Sequence, residues 1–377
     1  MYSNKKHRIF GLDFVRALAI IMVLCSHSTL LLFPNTHHIV ITIFQFFGTI
    51  GVDLFFVLSG FLIGGLLLKE INQDCLSFKQ LFHFWIRRWF RTLPNYFLVL
   101  IINIILFYVF YNEIIDGVGL FFVFLQNFSS PHPNFFTEAW SLSIEEYAYI
   151  IGPFLVFLLS ISFKRINKQL VFMGITGFIV LVTALLRYKF HLGHYSQVNQ
   201  DWSKLVRKVV VYRIDSIYYG FIGAYMAFHF NLYWRKYKVQ AFALGLFIFF
   251  GMHGVIFMKS IQPETTSLFF NVFYLPLISI SLLLLFPVLS SWNSKVVLSK
   301  TITNISLWSY SLYLINYSIV LLSIQYFIDV ELESSSIKFI ILIGFWAISF
   351  ILSFLLYKFY EKPLTKYREA SFIVKYF

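Results

Sequence analysis

A charged side chain inside an apolar run is costly to place there, so each one is a candidate for chemistry. The first long apolar run holds Asp13, Arg16 and His27. On a helix, the eleven residues from Arg16 to His27 make about three turns and roughly 16 Å of rise, so both side chains project from one side. An arginine near the end of such a helix could hold a phosphate while an imidazole deeper in meets a reactive carbonyl. The spacing matches the reach of an extended pantetheine arm. An imidazole, with an ordinary pKa of about 6.5, can take a proton near neutral pH. A plainer reading is equally open: Arg16 pairs with Asp13 three residues earlier, and His27 makes a hydrogen bond inside a bundle.

Further along, Trp140-Ser-Leu-Ser-Ile precedes Glu145 and Glu146. Near a helix N-terminus a carboxylate is favoured by the dipole, and it could orient or charge-balance His27 during proton transfer. The alternative is helix capping, with Trp140 as an interfacial anchor. Arg88 and Arg91 are one helical turn apart, and guanidinium forks match phosphate oxygens; lipid headgroups would suit them equally. Asp53 follows Gly51-Val52, and a structural pairing with an arginine in the bundle is expected for it. Arg213 and Asp215 sit in a later apolar run. Small residues at Gly51, Ser59, Gly60, Gly64 and Gly65 permit close helix contact. Cys25 and Cys75 have no metal-site spacing, and no disulfide between them is expected.

These residues need a scaffold, and composition says which kind. Of 377 residues 59% are apolar and only 12% charged, against about 25% charged in soluble domains. The predicted fold is all-α: a helical membrane bundle of ten spans, near 12–33, 43–68, 93–111, 140–162, 168–186, 209–230, 239–258, 268–289, 302–328 and 337–357. The net charge of +13 comes in short clusters between apolar runs. That pattern fits cytoplasmic flanks and argues against nucleic acid as a partner. The clusters include Lys69, Lys79 and Arg87, then Lys164, Arg165 and Lys168, then Arg235, Lys236 and Lys238, then Lys295 and Lys300. They place both termini in the cytoplasm. The first run, preceded by Lys5, Lys6 and Arg8, contains Arg16 and His27 and lacks a small-residue cleavage site, so it is read as a retained helix rather than a signal peptide. Segment 117–128 is too short to span and is expected to be interfacial or re-entrant. Residues 75–91 mix aromatic and basic side chains and suit a helix lying in the interface. The basic loop 187–208 is expected outside, either as noise or as a surface facing anionic glycan or headgroups.

Taken in order, these motifs resemble the acyltransferase-3 family of membrane O-acyltransferases over almost the whole chain. The similar segments are Gly11-Leu-Asp-Phe-Val-Arg16 with Ser26-His27, Gly51-Val-Asp-Leu-Phe-Phe-Val-Leu-Ser-Gly, Arg88-Trp-Phe-Arg91, Trp140-Ser-Leu-Ser-Ile-Glu145, Arg213-Ile-Asp215 and Glu361-Lys-Pro. One departure stands out: relatives often carry Tyr-Leu-x-His late in the chain, where this one has Tyr313-Leu-Ile-Asn316. Asn316 can hydrogen-bond but cannot act as a base near neutral pH.

The resemblance implies transfer of an acyl group, acetyl being the commonest, from cytoplasmic acyl-CoA to a hydroxyl of an extracytoplasmic glycan. It implies that His27 is catalytic, either as the base for direct transfer or by becoming acylated itself, and that Arg16, Arg88 and Arg91 serve donor binding or essential structure; Glu145 is taken as the catalytic companion of His27. Asp13, Asp53, Trp140, Glu146, Arg213, Asp215 and Asn316 would support them. Acetyl-CoA enters as substrate, and no permanently bound cofactor or metal is expected. The expected place is a bacterial cytoplasmic membrane, with the bilayer and a surface glycan as partners and a homo-oligomer left open. A single membrane-embedded domain over 1–377 is expected, without the soluble esterase-like domain that some relatives append. The rival readings are a transporter of lipid-linked saccharide, disfavoured by the lack of internal symmetry, and a scaffold that works only with a partner.

Overall fold

The computed structural model describes residues 8–36, 38–72, 77–163, 165–194, 201–293 and 298–367, and every regular element among them is helical. Lys5, Lys6, Cys75, Lys164 and Lys295 lie outside the described residues. The chain begins with α1 (Phe10–Leu32), α2 (Ile39–Ile71) and α3 (Phe78–Tyr111). A short α4 (Gly119–Phe122) precedes α5 (Ala139–Ser162) and α6 (Lys168–His194). Next come α7 (Val210–Arg213), α8 (Asp215–His229), α9 (Asn231–Lys236) and α10 (Lys238–Met258). A π turn, Phe269–Tyr274, leads into α11 (Leu275–Leu283) and α12 (Phe286–Leu289). The last two runs each widen at a π turn: α13 (Ser299–Ile315) through Asn316–Leu321 into α14 (Leu322–Phe327), and α15 (Ser335–Leu356) through Tyr357–Glu361 into α16 (Lys362–Tyr367).

Nine helical runs among the described residues are long and apolar enough to cross a membrane. Their outward faces are apolar: Phe247 on α10 is 75% exposed and Ile340 on α15 is 67% exposed, surfaces that lipid covers better than water does. The expected tenth span, 209–230, is helical but interrupted at Ile214 into α7 and a 15-residue α8. Ile214 itself keeps right-handed helical angles (φ −58°, ψ −30°), so from 210 to 229 the chain rises roughly 30 Å at about 1.5 Å per residue, close to the hydrocarbon thickness. The interruption falls between Arg213 and Asp215, whose side chains go to ion partners on different helices.

Two expectations change, and a third, the re-entrant reading of 117–128, agrees with the structure. Residues 78–111 form one helix of 34 residues, opened by a capping box between Ser77 and Gln80 and carrying Pro94 inside, so the basic aromatic segment and the span that follows it are continuous. Segment 117–128 is helical for only four residues and folds into the bundle. There, buried Gln126 donates to Ser143 Oγ at 2.6 Å, and Asn127 Nδ2 to the carbonyls of Lys208 at 2.6 Å and Trp140 at 3.0 Å. In the basic region 187–208, Arg187 belongs to α6 and is fully buried, and Arg207 is buried too. The basic surface expected there shrinks to Lys189, Lys204 and a half-buried Lys208.

The bundle is tied together where backbones come closest. Gly60 and Gly64 of α2 face Gly220 and Ala224 of α8, a small-xxx-small pairing on both sides. A Cβ on Gly60 would lie 1.9 Å from the carbonyl oxygen of Ile217. Gly60→Ala should therefore force α2 and α8 apart and cost about 1–3 kcal/mol of stability. Thermal unfolding of the purified protein in detergent reads this; an unchanged midpoint would refute the close contact. Gly65, by contrast, opens onto empty space beside the cavity.

Candidate active site

The wide apolar stripe of α2 leaves one side unfilled, and a cavity of about 1380 Å³ opens there. It exceeds the roughly 300–1,000 Å³ of common small-molecule pockets. Along α2 its wall runs from Lys69 through Leu66, Leu62, Ser59 and Phe55 to Val52. Seventeen residues at about 1.5 Å each make it roughly 25 Å long. Nine arginines and lysines line it against three carboxylates, Asp13, Glu145 and Glu361. The end near Lys69 adds Arg235, Lys238, Lys362 and Lys366; Arg16, Arg88 and Arg91 stand further along the wall.

Each of these inner arginines has a different setting. Asp13 is taken by Arg8, through bonds of 2.6 and 2.8 Å, and accepts a third from Ser306 at 2.9 Å. Arg16 is only 3.8 Å from that carboxylate and 3.4 Å from Ser306 Oγ, so the simple Asp13–Arg16 pair is not the main contact of either. Arg88 lies 3.4 Å from the centre of the Tyr149 ring and donates to Glu145 at 3.1 Å. Arg91 faces the cavity, with Glu361 the carboxylate acting on it most strongly. Glu361 itself accepts from Asn95 at 2.9 Å and Ser311 at 2.7 Å.

Among the described residues, the cavity stops before His27, which does not line it. Helix contacts measure the gap. A Cβ on Gly51 would lie 2.5 Å from the Ala19 carbonyl oxygen, and one on Gly48 2.6 Å from Ser26 Oγ. His27 is therefore level with Gly48, about four residues or roughly 6 Å beyond Val52. At the inner end of the cavity the hydroxyls of Tyr313 and Ser141 share a hydrogen bond of 2.7 Å. On the far side of that bridge, His27 Nδ1 is bonded to Asn316 Oδ1, and the Tyr317 ring centre lies 4.8 Å from the imidazole. The Asn316 amide nitrogen donates to the carbonyls of Leu312 at 2.6 Å and Tyr313 at 3.0 Å. Carbonyls only accept, so the amide oxygen must be the atom facing the imidazole. His27 Nδ1 is then the donor, and the lone pair lies on Nε2.

Several expected contacts are different. Glu145 does not meet His27: it is bonded by Arg88, by Ser59 at 3.2 Å and by Tyr149 at 3.1 Å. Its helix α5 starts inside the bundle, with Ala139, Trp140 and Ser141 all buried, because residues 123–138 fold inward rather than staying at the outer surface. For the same reason Trp140 is no interfacial anchor; it lies beneath Arg207, 4.9 Å from ring centre to guanidinium, and edge-on to Phe56. Glu146 is buried and accepts from Thr92 at 3.2 Å. Asp53 pairs with Arg213, and Asp215 pairs with Arg187 through bonds of 2.7 and 2.9 Å, all of them buried. Near His27, the desolvated Lys208 ammonium is lowered to about 8, helped by Arg207, and burial lowers the neighbouring His132 imidazole to about 4.

A family model described as an acyltransferase domain, that of acyltransferase-3, matches residues 9–358. The chain belongs to the acyltransferase-3 family. Together with its apolar helices, this makes it a multi-pass membrane protein. Similar proteins include a Staphylococcus aureus (strain COL) protein named "Putative O-acetyltransferase", 28% identical over 96% of this chain and 58% of its own length. The peptidoglycan O-acetyltransferase OatA of Listeria monocytogenes is 35% identical over 42% of this chain and 25% of its own. A Bacillus subtilis protein named "Putative peptidoglycan O-acetyltransferase YrhL" is 33% identical over 41% of this chain and 25% of its own. The chain thus matches less than two thirds of the length of these relatives. No solved structure matches it.

Within this acyltransferase-3 chain the sequence gives no site role to Arg8, Ser141, Tyr313 and Glu138, and it places Arg187 and Arg207 in an external loop rather than in the bundle. Arg187 had a usable signal, since the apolar period of 168–186 continues past it. Glu138 had none: an acid just before Ala139-Trp140 looks like an ordinary helix N-cap, yet its side chain makes no bond to its own helix.

Proposed function

We propose that this protein transfers an acyl group, acetyl in the first instance, from a coenzyme A thioester to a hydroxyl of an extracytoplasmic glycan. The observation carrying this reading is the long basic cavity that ends close to an imidazole whose Nε2 is left as the base. The cavity's cationic surplus suits a polyanionic nucleotide, and its length suits the pantetheine arm. Lys69, Arg235, Lys238, Lys362 and Lys366 give it a lysine- and arginine-rich rim, which we therefore assign to the cytoplasm, with both termini on that side. The bilayer is then a bacterial cytoplasmic membrane, and relatives named for peptidoglycan make that polymer the first acceptor to try.

In this reading the phosphates rest on the basic wall and Arg16, Arg88 and Arg91 hold the donor's inner part. Glu145 holds Arg88 in place and touches neither donor thioester nor imidazole. The thioester passes the Tyr313–Ser141 bridge to reach the imidazole. Asn316 keeps the proton of His27 on Nδ1. Nε2 then takes the proton of the acceptor hydroxyl as its oxygen bonds to the acyl carbon. The carbon–sulfur bond breaks, and the imidazolium returns its proton to the departing thiolate. No resident cofactor or metal takes part.

Proteoliposomes given radiolabelled acetyl-CoA and soluble peptidoglycan fragments test this: label should move to glycan as free coenzyme A appears. Labelled acetyl-CoA left intact, with transport of lipid-linked saccharide instead, would favour the transporter reading. Arg91→Ala should raise KM for acetyl-CoA by about tenfold or more, because a hydrogen bond to a charged group contributes roughly 1.5–3 kcal/mol, while kcat changes little. Equal KM values for variant and parent would remove Arg91 from the donor site.

A further inference from the structure

We propose that Glu138 is a positioning residue for the transfer reaction: it fixes the widened turn carrying Asn316 and thereby the orientation of His27. This rests on His27 being the base, as proposed above, and adds a residue to which no motif assigns a role.

Four contacts support it. Glu138 is 4% exposed, and its carboxylate crosses to the other end of the chain. Oε1 accepts the backbone N–H of Ser318 at 3.2 Å, and Oε2 accepts the Ser318 hydroxyl in a short bond. Its backbone carbonyl lies 3.2 Å from the Tyr313 hydroxyl and 3.3 Å from that of Ser141; with one proton each, one hydroxyl donates to this carbonyl while the other donates within the pair. Glu138 therefore holds the chain on both sides of Asn316, three residues before it at Tyr313 and two after it at Ser318.

The local backbone explains why such a clamp is needed. Asn316–Leu321 is a π turn, a geometry with weaker local support that recurs at functional sites. Asn316 opens this turn, and its amide orients the imidazole. A turn free to relax to ordinary α-helix would rotate Asn316 away from His27 and release the Nδ1 proton. A carboxylate is a strong acceptor for both donors of Ser318, and it has no competing bond to its own helix. Through its carbonyl the same residue also holds the Tyr313–Ser141 bridge, so the inner end of the donor cavity and the orientation of the base share one anchor.

The test uses the full chain in nanodiscs, with two readouts. The first is hydrogen exchange of the peptide containing Ser318. It should speed up in Glu138→Ala and stay near the parent rate in Glu138→Gln, which keeps an acceptor oxygen. The second is coenzyme A release from acetyl-CoA with soluble peptidoglycan fragments. Glu138→Ala should lose roughly 100-fold in kcat, the scale of a small misplacement of a reacting group, with KM for acetyl-CoA within about twofold and most of kcat recovered in Glu138→Gln. In an Asn316→Ala background the Glu138→Ala loss should largely vanish, because both act through one imidazole. Should Glu138→Ala fail to fold, Ser318→Ala should show a smaller kcat loss of the same kind, without a KM change.

Unchanged exchange overturns the proposal, as does faster exchange with parental kcat, or losses that multiply in the double variant. Full activity of His27→Ala would instead overturn the functional reading, and the exchange result would still stand on its own.

Discussion

Replacing His27 by alanine should lower glycan acetylation by about 10²–10⁴-fold, the usual contribution of a general acid–base group, and leave donor binding almost unchanged. The two halves of that expectation come from different parts of the site. The imidazole lies beyond the cavity's inner end, past the Tyr313–Ser141 bridge, so its loss removes no cavity wall. Nε2 is the atom that matters, because Asn316 holds Nδ1. His27→Gln should therefore fail as thoroughly as alanine: an amide of similar reach cannot take a proton near neutral pH. Initial rates of coenzyme A release, paired with calorimetric binding of acetyl-CoA, separate the effects. Parental turnover in His27→Ala would end the mechanism proposed here. Intact turnover with lost donor binding would place the imidazole in the donor site instead.

Asp53→Ala should be the most damaging structural change, costing about 3–5 kcal/mol, because it strands the buried Arg213 guanidinium. Asp53 and Arg213 are 1% and 0% exposed, and Arg213 Nε and Nη1 already have no other partner among the described residues. Arg207 lies close enough to feel the same carboxylate, so its removal leaves two cations together in a dry interior. A double variant, Asp53→Ala with Arg213→Leu, removes charge and counter-charge together. It should unfold at a higher temperature than Asp53→Ala alone, since an apolar replacement of a buried pair is often close to neutral. Thermal melts in one detergent decide between these; a double variant less stable than the single would mean that Arg213 has other essential bonds. The consequence reaches function through α2, which carries Asp53 and also the whole length of the cavity wall.

The two residues differ in how far they could be read beforehand. His27 stands eleven residues from Arg16 on an uninterrupted α1, so their common face and separation follow from helix geometry alone. Asp53 in an apolar run announces a partner by its cost, but nothing local names Arg213. The position of Glu145 shows the same limit. A helix beginning at residue 139 could be recognised, but not that residues 123–138 carry its start into the bundle, where Arg88 takes the carboxylate that had been assigned to His27.

The sequence by itself determined the helical membrane character, most span positions, the family and several of the residues worth testing, though not Glu138. Those properties depend on run length, composition and spacing within one segment, and short-range periodicity records all three. Only the tertiary structure decided who meets whom. Asp53 and Arg213 are 160 positions apart and Glu138 and Ser318 are 180 apart. Such pairings depend on where separately formed helices cross, on a glycine that lets two backbones touch and on a loop that folds inward. Packing distances of that kind leave no imprint on the periodicity of any single helix.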